Sequence, residues 1–226
     1  YRFIFMEPEF RDKRDLFRAS GITTSGKSVR IIAKWLPLGA SVFDVGSGFG
    51  MFVSAAARAG YKVTASDLER YTSFEPFVLS DAEKRWTAAD TSFDAVTAWQ
   101  VVEHLQNPRH FFEETHRVLC DNGLLFFSVP NFLKLSNRIS FFLSGEFPRY
   151  TTNPLHLTAF TRSTIARAWN GLFTLELQGY TDLHKKRASR LFWWFVRFLP
   201  SWKMLRGESV FFVLRKKNLA SEVSVL

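Results

Sequence analysis

Residues 42–50 read Val-Phe-Asp-Val-Gly-Ser-Gly-Phe-Gly, and no other stretch limits the choice of fold as strongly. An apolar run closes on Asp44. Glycines follow at alternate positions, Gly46, Gly48 and Gly50, and an alanine-rich helical pattern runs from Met51 to Gly60. Without a Cβ, glycine lets the chain turn sharply from strand to helix and lets a ligand lie against bare backbone. A second apolar run, Lys62 to Ser66, ends in Asp67. A strand, a glycine turn, a helix and a second strand ending in an acid suit a nucleoside-bearing cofactor.

The rest of the chain repeats that rhythm. Apolar runs predict strands at about 41–45, 62–66, 77–79, 93–98, 123–129, 173–179 and 209–215. Helical periodicity falls at 51–59, 108–119 and 161–170. An amphipathic helix over Lys27–Leu36 is stopped by Pro37. Alternating strands and helices predict an α/β fold: a Rossmann-like, mostly parallel sheet of seven strands, helices on both faces, and an antiparallel last strand. The expected layout is an N-terminal arm (1–26), one domain (27–217) and a C-terminal tail (218–226). Two regions break the pattern. Residues 131–157 read as a long irregular loop after the fifth strand, where open α/β sheets place substrate-binding loops. Residues 181–207 form an excursion that interleaves Trp193, Trp194, Phe195, Phe198 and Trp202 with Arg190, Arg197, Lys203 and Arg206.

The formal charge of +9 favours an anionic partner: a phosphorylated substrate, a lipid surface or nucleic acid. Nucleic acid is disfavoured, because the basic residues are dispersed and no nucleic-acid module is recognisable. The single cysteine, Cys120, excludes an intramolecular disulfide and fits a reducing, cytoplasmic setting. No run of 18 apolar residues and no secretory-signal pattern are present. The opening on Tyr1 reads as a fragment or a chain lacking its native start.

A dinucleotide site calls for G-x-G-x-x-G, but Met51 stands where the third glycine belongs. Asp44-Val-Gly-Ser-Gly-Phe-Gly50 instead resembles motif I of the class I S-adenosylmethionine-dependent methyltransferases. Asp67 matches that family's acid for the two ribose hydroxyls, and a carboxylate, with acceptor oxygens and no donor, suits a cis-diol. Ser80-Asp81-Ala82 resembles the adenine segment. Thr91–Val96 resembles the fourth strand. Val102–Pro108, Phe111–Leu119 and Asp121–Asn131, with His156–Thr161 later, resemble the ubiquinone-biosynthesis-like (type 11/23) branch. The resemblance covers about 28–217. It implies S-adenosylmethionine as cofactor, S-adenosylhomocysteine as product, and a cofactor site of Asp44, Gly46, Ser47, Gly48, Phe49, Gly50, Asp67, Leu68, Asp81, Ala82, Trp99 and Gln100.

Methyl transfer to a hydroxyl requires a positioned nucleophile and a proton acceptor. The candidates are His104 and His156, with Glu103 beside them. In one reading a histidine is the general base, since imidazole titrates near neutrality. In another, implied by resemblance to metal-using relatives, Gln100, Glu103, His104 and His156 surround a divalent ion; Gln100 there replaces a carboxylate. In a third, Glu103 and His104 only orient or cap. The reading adopted is metal-free. His110, His116 and His184 read as solvated, and Cys120 as packing.

The expected acceptor is a small molecule, a sugar or a lipid-linked intermediate, with oxygen the expected site of methylation. The 131–157 loop, with Arg138, Phe141, Phe142, Phe147, Arg149 and Tyr150, reads either as a lid or as a connection packing its phenylalanines on the core. The 187–206 segment reads either as contact with an anionic membrane surface or as core or homodimer packing. The competing reading of the whole chain is a non-catalytic methyltransferase-like scaffold.

Overall fold

The computed structural model describes residues 25–146, 155–181 and 207–218. The expectations for residues 1–24, 147–154, 182–206 and 219–226, including His184 and the aromatic–basic segment, lie outside these residues. Seven strands form one sheet in the order β3-β2-β1-β4-β5-β7-β6. They are β1 (Ser41–Val45), β2 (Lys62–Asp67), β3 (Phe77–Leu79), β4 (Phe93–Trp99), β5 (Leu119–Pro130), β6 (Phe173–Thr181) and β7 (Ser209–Lys216). β1 to β5 pair in parallel, and β7 runs antiparallel between β5 and β6. The expected strands and the reversed last strand are all present.

Helices cover both faces: α1 over 25–32, α2 (Met51–Arg58), α3 (Pro108–Val118), α4 (Leu135–Ser144) and α5 (Arg162–Trp169). Strand alternation divides the core between them. Val42, Ala95, Leu124, Phe126 and Val213 face Ile32, Phe52 and Val53 on the α1/α2 side. Phe43, Val96, Phe127 and Phe212 face Phe111, Phe112, Ile165 and Trp169 on the α3/α5 side. Burial on both faces is why β5 reads as an unbroken apolar run rather than an alternating one. The starts of two helices are written locally. Pro108 opens α3 behind Asn107, whose side chain accepts from the His110 N–H. Thr161 and Thr164 form a reciprocal capping box for α5.

Four local expectations are corrected. The 131–157 region is not wholly irregular, because residues 135–144 form α4, ended by Gly145 in the left-handed region at φ 73°. Phe142 does not pack on the core; it is 87% exposed. Cys120, expected only to pack, lies half-buried in β5, and its thiol also donates to the Thr91 carbonyl at 3.2 Å. His110 and His116 are half-buried rather than fully solvated: the His110 Nε2 is buried, and the His116 Nε2 donates to the Lys217 carbonyl at 2.9 Å.

The segment before β4 is clamped to α3. Arg117 grips the Glu114 carboxylate with Nε and one terminal nitrogen at 3.0 and 2.7 Å, and also reaches the carbonyls of Trp86 and Ala88 and the Asp90 carboxylate. Glu114 in turn accepts from the Trp86 N–H at 2.8 Å. Burial alone would raise the Glu114 pKa, but the Arg117 and Trp86 hydrogen bonds outweigh it and hold it below the ordinary value. Removing one partner strands the other charge, so Arg117→Ala is expected to destabilise the protein by about 3 kcal/mol, read as a drop in the urea midpoint. Because the folded pKa is depressed, the Glu114 contribution is complete above the ordinary carboxyl value of 4.5 and is lost as pH falls below it.

Candidate functional site

A cleft of about 700 Å³ opens at the carboxyl ends of β1, β2 and β4. β1 is the strand from which the chain winds outward in both directions, the switch point where open α/β sheets bind ligands. The glycine turn forms its floor. Gly46, Gly48 and Gly50 all have positive φ, at 74°, 51° and 74°. A Cβ at Gly46 would come within 2.5 Å of the Val101 side chain, and one at Gly50 would collide with Thr72. A Cβ at Gly48 would meet no protein atom within 4 Å; it would project into open space at the cleft wall. Packing therefore demands glycine at 46 and 50, and Gly48 leaves ligand room.

Asp67 ends β2 beside this turn. Its Oδ2 accepts from the Gly48 N–H at 2.8 Å and its Oδ1 from the Leu68 N–H at 2.7 Å. Burial raises its pKa, and the N–H groups of Gly48, Leu68 and Glu69 oppose that rise. The carboxylate is thus fixed in orientation and coupled to the glycine turn. Asp44 takes a different position. It is 2% exposed and accepts from the Thr97 hydroxyl at 2.5 Å, across the β1–β4 pairing that sets Asp44 opposite Thr97. Burial pushes its pKa up to about 8, against the Thr97 bond and with a smaller contribution from Asp67.

At the other wall, β4 ends in Trp99 and Gln100 follows. Gln100 stands at φ 60°, a left-handed conformation that costs a non-glycine residue about 1–3 kcal/mol. Two bonds to Ser128 of β5 hold it there: its N–H to the Ser128 carbonyl and its side-chain amide to the Ser128 hydroxyl, both at 3.0 Å. A short 3-10 turn, Val102–His104, comes next. Glu103 is fully buried, and its carbonyl accepts from the N–H groups of Leu157 and Thr158. That backbone tie brings His156 beside His104, with ring centroids 4.9 Å apart.

His104 lines the cleft. Its Nδ1 is 2.8 Å from the Leu155 carbonyl, an oxygen that can only accept, so Nδ1 carries the proton. In the neutral ring Nε2 is then the lone-pair nitrogen. It lies 3.9 Å from Glu103 Oε1. Burial lowers the His104 pKa and the Leu155 bond opposes the shift, so the neutral ring is favoured at pH 7. Glu103, His104 and His156 each offer a ligand atom within 4.8 Å of the others, the spacing of a candidate divalent-metal cluster. Gln100 is on the cleft wall but brings no anionic oxygen to it.

The cleft gathers Gly46, Gly48, Phe49, Asp67, Leu68, Asp81, Ala82, Trp99, Gln100 and His104 from the expected set. Asp44, Ser47, Gly50, Glu103 and His156 do not line it. Asp44 is turned to Thr97, Gly50 faces Thr72, and Glu103 is wholly buried. Of the residues on the wall, Trp99 has a buried indole N–H with no hydrogen-bond partner. Sequence reasoning missed Tyr71, Glu83, Gln106, Leu155 and Leu157 on the wall. Tyr71 meets Phe49 edge-on at 6.2 Å and donates to Glu69 at 2.8 Å. Leu155 and Leu157 flank His156, the one signal that could have found them.

Comparison with known proteins agrees with this geometry. A family model described as a methyltransferase domain matches residues 19–172, and the chain belongs to that family. It is a class I methyltransferase domain, and S-adenosylmethionine is the cofactor of this class. A ubiquinone biosynthesis O-methyltransferase of Xanthomonas axonopodis pv. citri is 34% identical over 113 residues, 45% of this chain and 47% of that protein. The protein of the same name from Actinobacillus pleuropneumoniae is 29% identical over 41% of this chain and 47% of its own length. The chain thus spans about half the length of these relatives. In fold it resembles a SAM-dependent methyltransferase from Archaeoglobus fulgidus (TM-score 0.69, 17% identity, 93% of this chain and 100% of that one). The site fits the cofactor: Gly48 leaves a bare backbone cradle, and Asp67 offers an oriented carboxylate beside it.

Proposed function

We propose that this protein transfers a methyl group from S-adenosylmethionine to an oxygen of a small-molecule, sugar or lipid-linked acceptor, with His104 as the general base. The carrying observation is the His104 ring: its Nδ1 proton is committed to the Leu155 carbonyl, which leaves Nε2 as a proton acceptor on a residue of the cleft wall. The relatives' names, which specify O-methylation in ubiquinone biosynthesis, support an oxygen acceptor.

The cofactor supplies a methyl group already activated on a sulfonium. The chain's own tasks are to hold it, to place the acceptor and to move one proton. Gly46, Gly48 and Phe49 would cradle the methionine and ribose portion, Asp67 would accept from the ribose hydroxyls, and Asp81 and Ala82 would flank the adenine. Asp44, from beneath, adds a buried acid that a cationic ligand would favour in its ionised form. The strained Gln100, locked on Ser128, would fix the far wall against which the acceptor sits. His104 Nε2 would then take the acceptor's proton as the oxygen attacks.

A second reading is favoured by one observation, the 4.8 Å cluster of Glu103, His104 and His156, which would suit a divalent ion that lowers the acceptor's pKa directly. The two readings compete for the same His104 lone pair. Incubation with methyl-labelled S-adenosylmethionine and paired hydroxyl and amine acceptors tests the proposal. Label is expected in a methyl ether. Label only in amines would overturn oxygen as the site, and cofactor binding with no transfer to any acceptor would favour the scaffold reading.

A further inference from the structure

Glu83 joins two parts of the cleft wall that are distant in sequence. It lines the cleft directly after Ser80, Asp81 and Ala82, the segment that would flank the adenine. That segment is held locally. The Ser80 N–H donates to the Asp67 carbonyl at 2.9 Å, and the Glu83 N–H donates to Asp81 Oδ1 at 3.0 Å. Lys84 closes the same turn, with its N–H on the Asp81 carbonyl at 3.1 Å and its ammonium 3.3 Å from Asp81 Oδ2. The Glu83 carboxylate serves a different partner. Its Oε1 accepts from the backbone N–H of Gln106 and from that of Asn107, the latter at 3.2 Å. These are the second and third residues after His104.

The simpler use of such a contact would be to open helix α3, but that need is met elsewhere. Asn107 caps α3 through the His110 N–H, and Pro108 supplies its first residue. The body of the helix is held by the Trp86 N–H on Glu114 at 2.8 Å and by the Trp86 ring against Phe111, with centroids 5.7 Å apart. Glu83 instead secures the stretch between His104 and the helix. His104 is tied from its other side as well. Its Nδ1 donates to the Leu155 carbonyl, and the neighbouring Glu103 carbonyl accepts from Leu157 and Thr158. Those bonds orient the ring; Glu83 fixes the backbone that follows it. A carboxylate accepting from backbone N–H groups makes stronger bonds than a neutral acceptor does. One oxygen shared by two successive N–H groups also narrows the path the chain can take.

The consequence concerns spacing. Asp67 and the adenine-side segment would hold the cofactor, and His104 would hold the proton acceptor. Glu83 spans the two. A displacement of about 1 Å at a reacting group costs about 10²-fold in rate.

We propose that Glu83 is a positioning residue for methyl transfer, its carboxylate joining the adenine-side segment to the turn that carries His104 and so setting that turn against the bound cofactor. The proposal rests on the reading of His104 as the general base. A double-mutant cycle tests it, with kcat measured on the hydroxyl acceptor that takes up the labelled methyl group. Glu83→Ala is expected to lower kcat by about 10–10²-fold. Glu83→Gln keeps an acceptor oxygen and should stay within about threefold of wild type. In a His104→Ala background, Glu83→Ala should cost less than about a further twofold, because the group it places is gone. The His104 imidazole resonance, identified by its absence from the spectrum of His104→Ala, should be displaced in Glu83→Ala and restored in Glu83→Gln. A role confined to stability would leave it in place. If Glu83→Ala does not fold, Glu83→Asp, which draws the carboxylate back by one methylene, takes its place. An undisplaced His104 resonance, or equal fractional losses of kcat with and without His104, would overturn the proposal. Undiminished kcat in His104→Ala beside a displaced resonance in Glu83→Ala would overturn the base reading alone, since the resonance reports where Glu83 places the turn.

Discussion

Replacing His104 by alanine is expected to lower kcat by about 10²–10⁴-fold, with S-adenosylmethionine affinity changed by no more than about threefold. The expectation follows from the Leu155 bond. With Nδ1 held as a donor at 2.8 Å, Nε2 is the ring nitrogen that carries the lone pair. The direction of the pH dependence follows from burial. The base works when neutral, and burial lowers its pKa below the ordinary 6.5. The wild-type rate should rise with pH through a limb centred below 6.5 and stay level from there through neutrality. In His104→Ala that limb should vanish with the rate. The same experiment separates base from metal. A base needs no ion, so the wild-type rate should be unchanged by chelator. Loss of activity in chelator, restored by a divalent ion, would transfer the His104 lone pair to a metal held with Glu103 and His156.

Asp67→Ala is expected to weaken cofactor binding by about 10²-fold or more. Hydrogen bonds to a charged group contribute about 1.5–3 kcal/mol each, and two ribose hydroxyls would be left without their acceptor. A second loss adds to the first. Asp67 also holds the Gly48 N–H at 2.8 Å, so its removal frees the floor of the cleft. Asp67→Asn keeps one acceptor oxygen and should fall between wild type and alanine. Calorimetric titration of the three proteins checks the order, and their thermal melts show whether the glycine turn alone has loosened.

Both substitutions fall on residues that the sequence pattern marks. The glycine turn is legible because three alternate glycines after an apolar run have few other uses. Asp67, Trp99 and Gln100 are legible because each closes or follows a strand at the ligand edge. The strands are legible because burial on both faces makes each a short apolar run. Asp44 is harder. Phe43 and Val45 both face α3 and α5, so the pleat turns Asp44 to the other face and onto Thr97, away from the cleft. No local sequence signal fixes that pairing.

α4 is hidden in the sequence for a different reason. Lys134 supplies no side-chain cap, and Ile139, Phe142 and Leu143 do not face the core, so the usual pattern of a helix packed on a sheet is absent. Nearby Gly145, Pro148 and Pro154 favour a loop. Leu155 and Leu157 reach the cleft only because the Glu103 carbonyl accepts from Leu157 across more than fifty residues. Contacts of that range are set by the tertiary fold, and periodicity cannot announce them.

The most direct test of the central claim is a calorimetric titration of the wild-type chain with S-adenosylhomocysteine, repeated on Asp67→Ala. Saturable binding at one site per wild-type chain is expected, weakened by about 10²-fold or more in the variant. No binding to the wild type, or equal binding to both proteins, would contradict it.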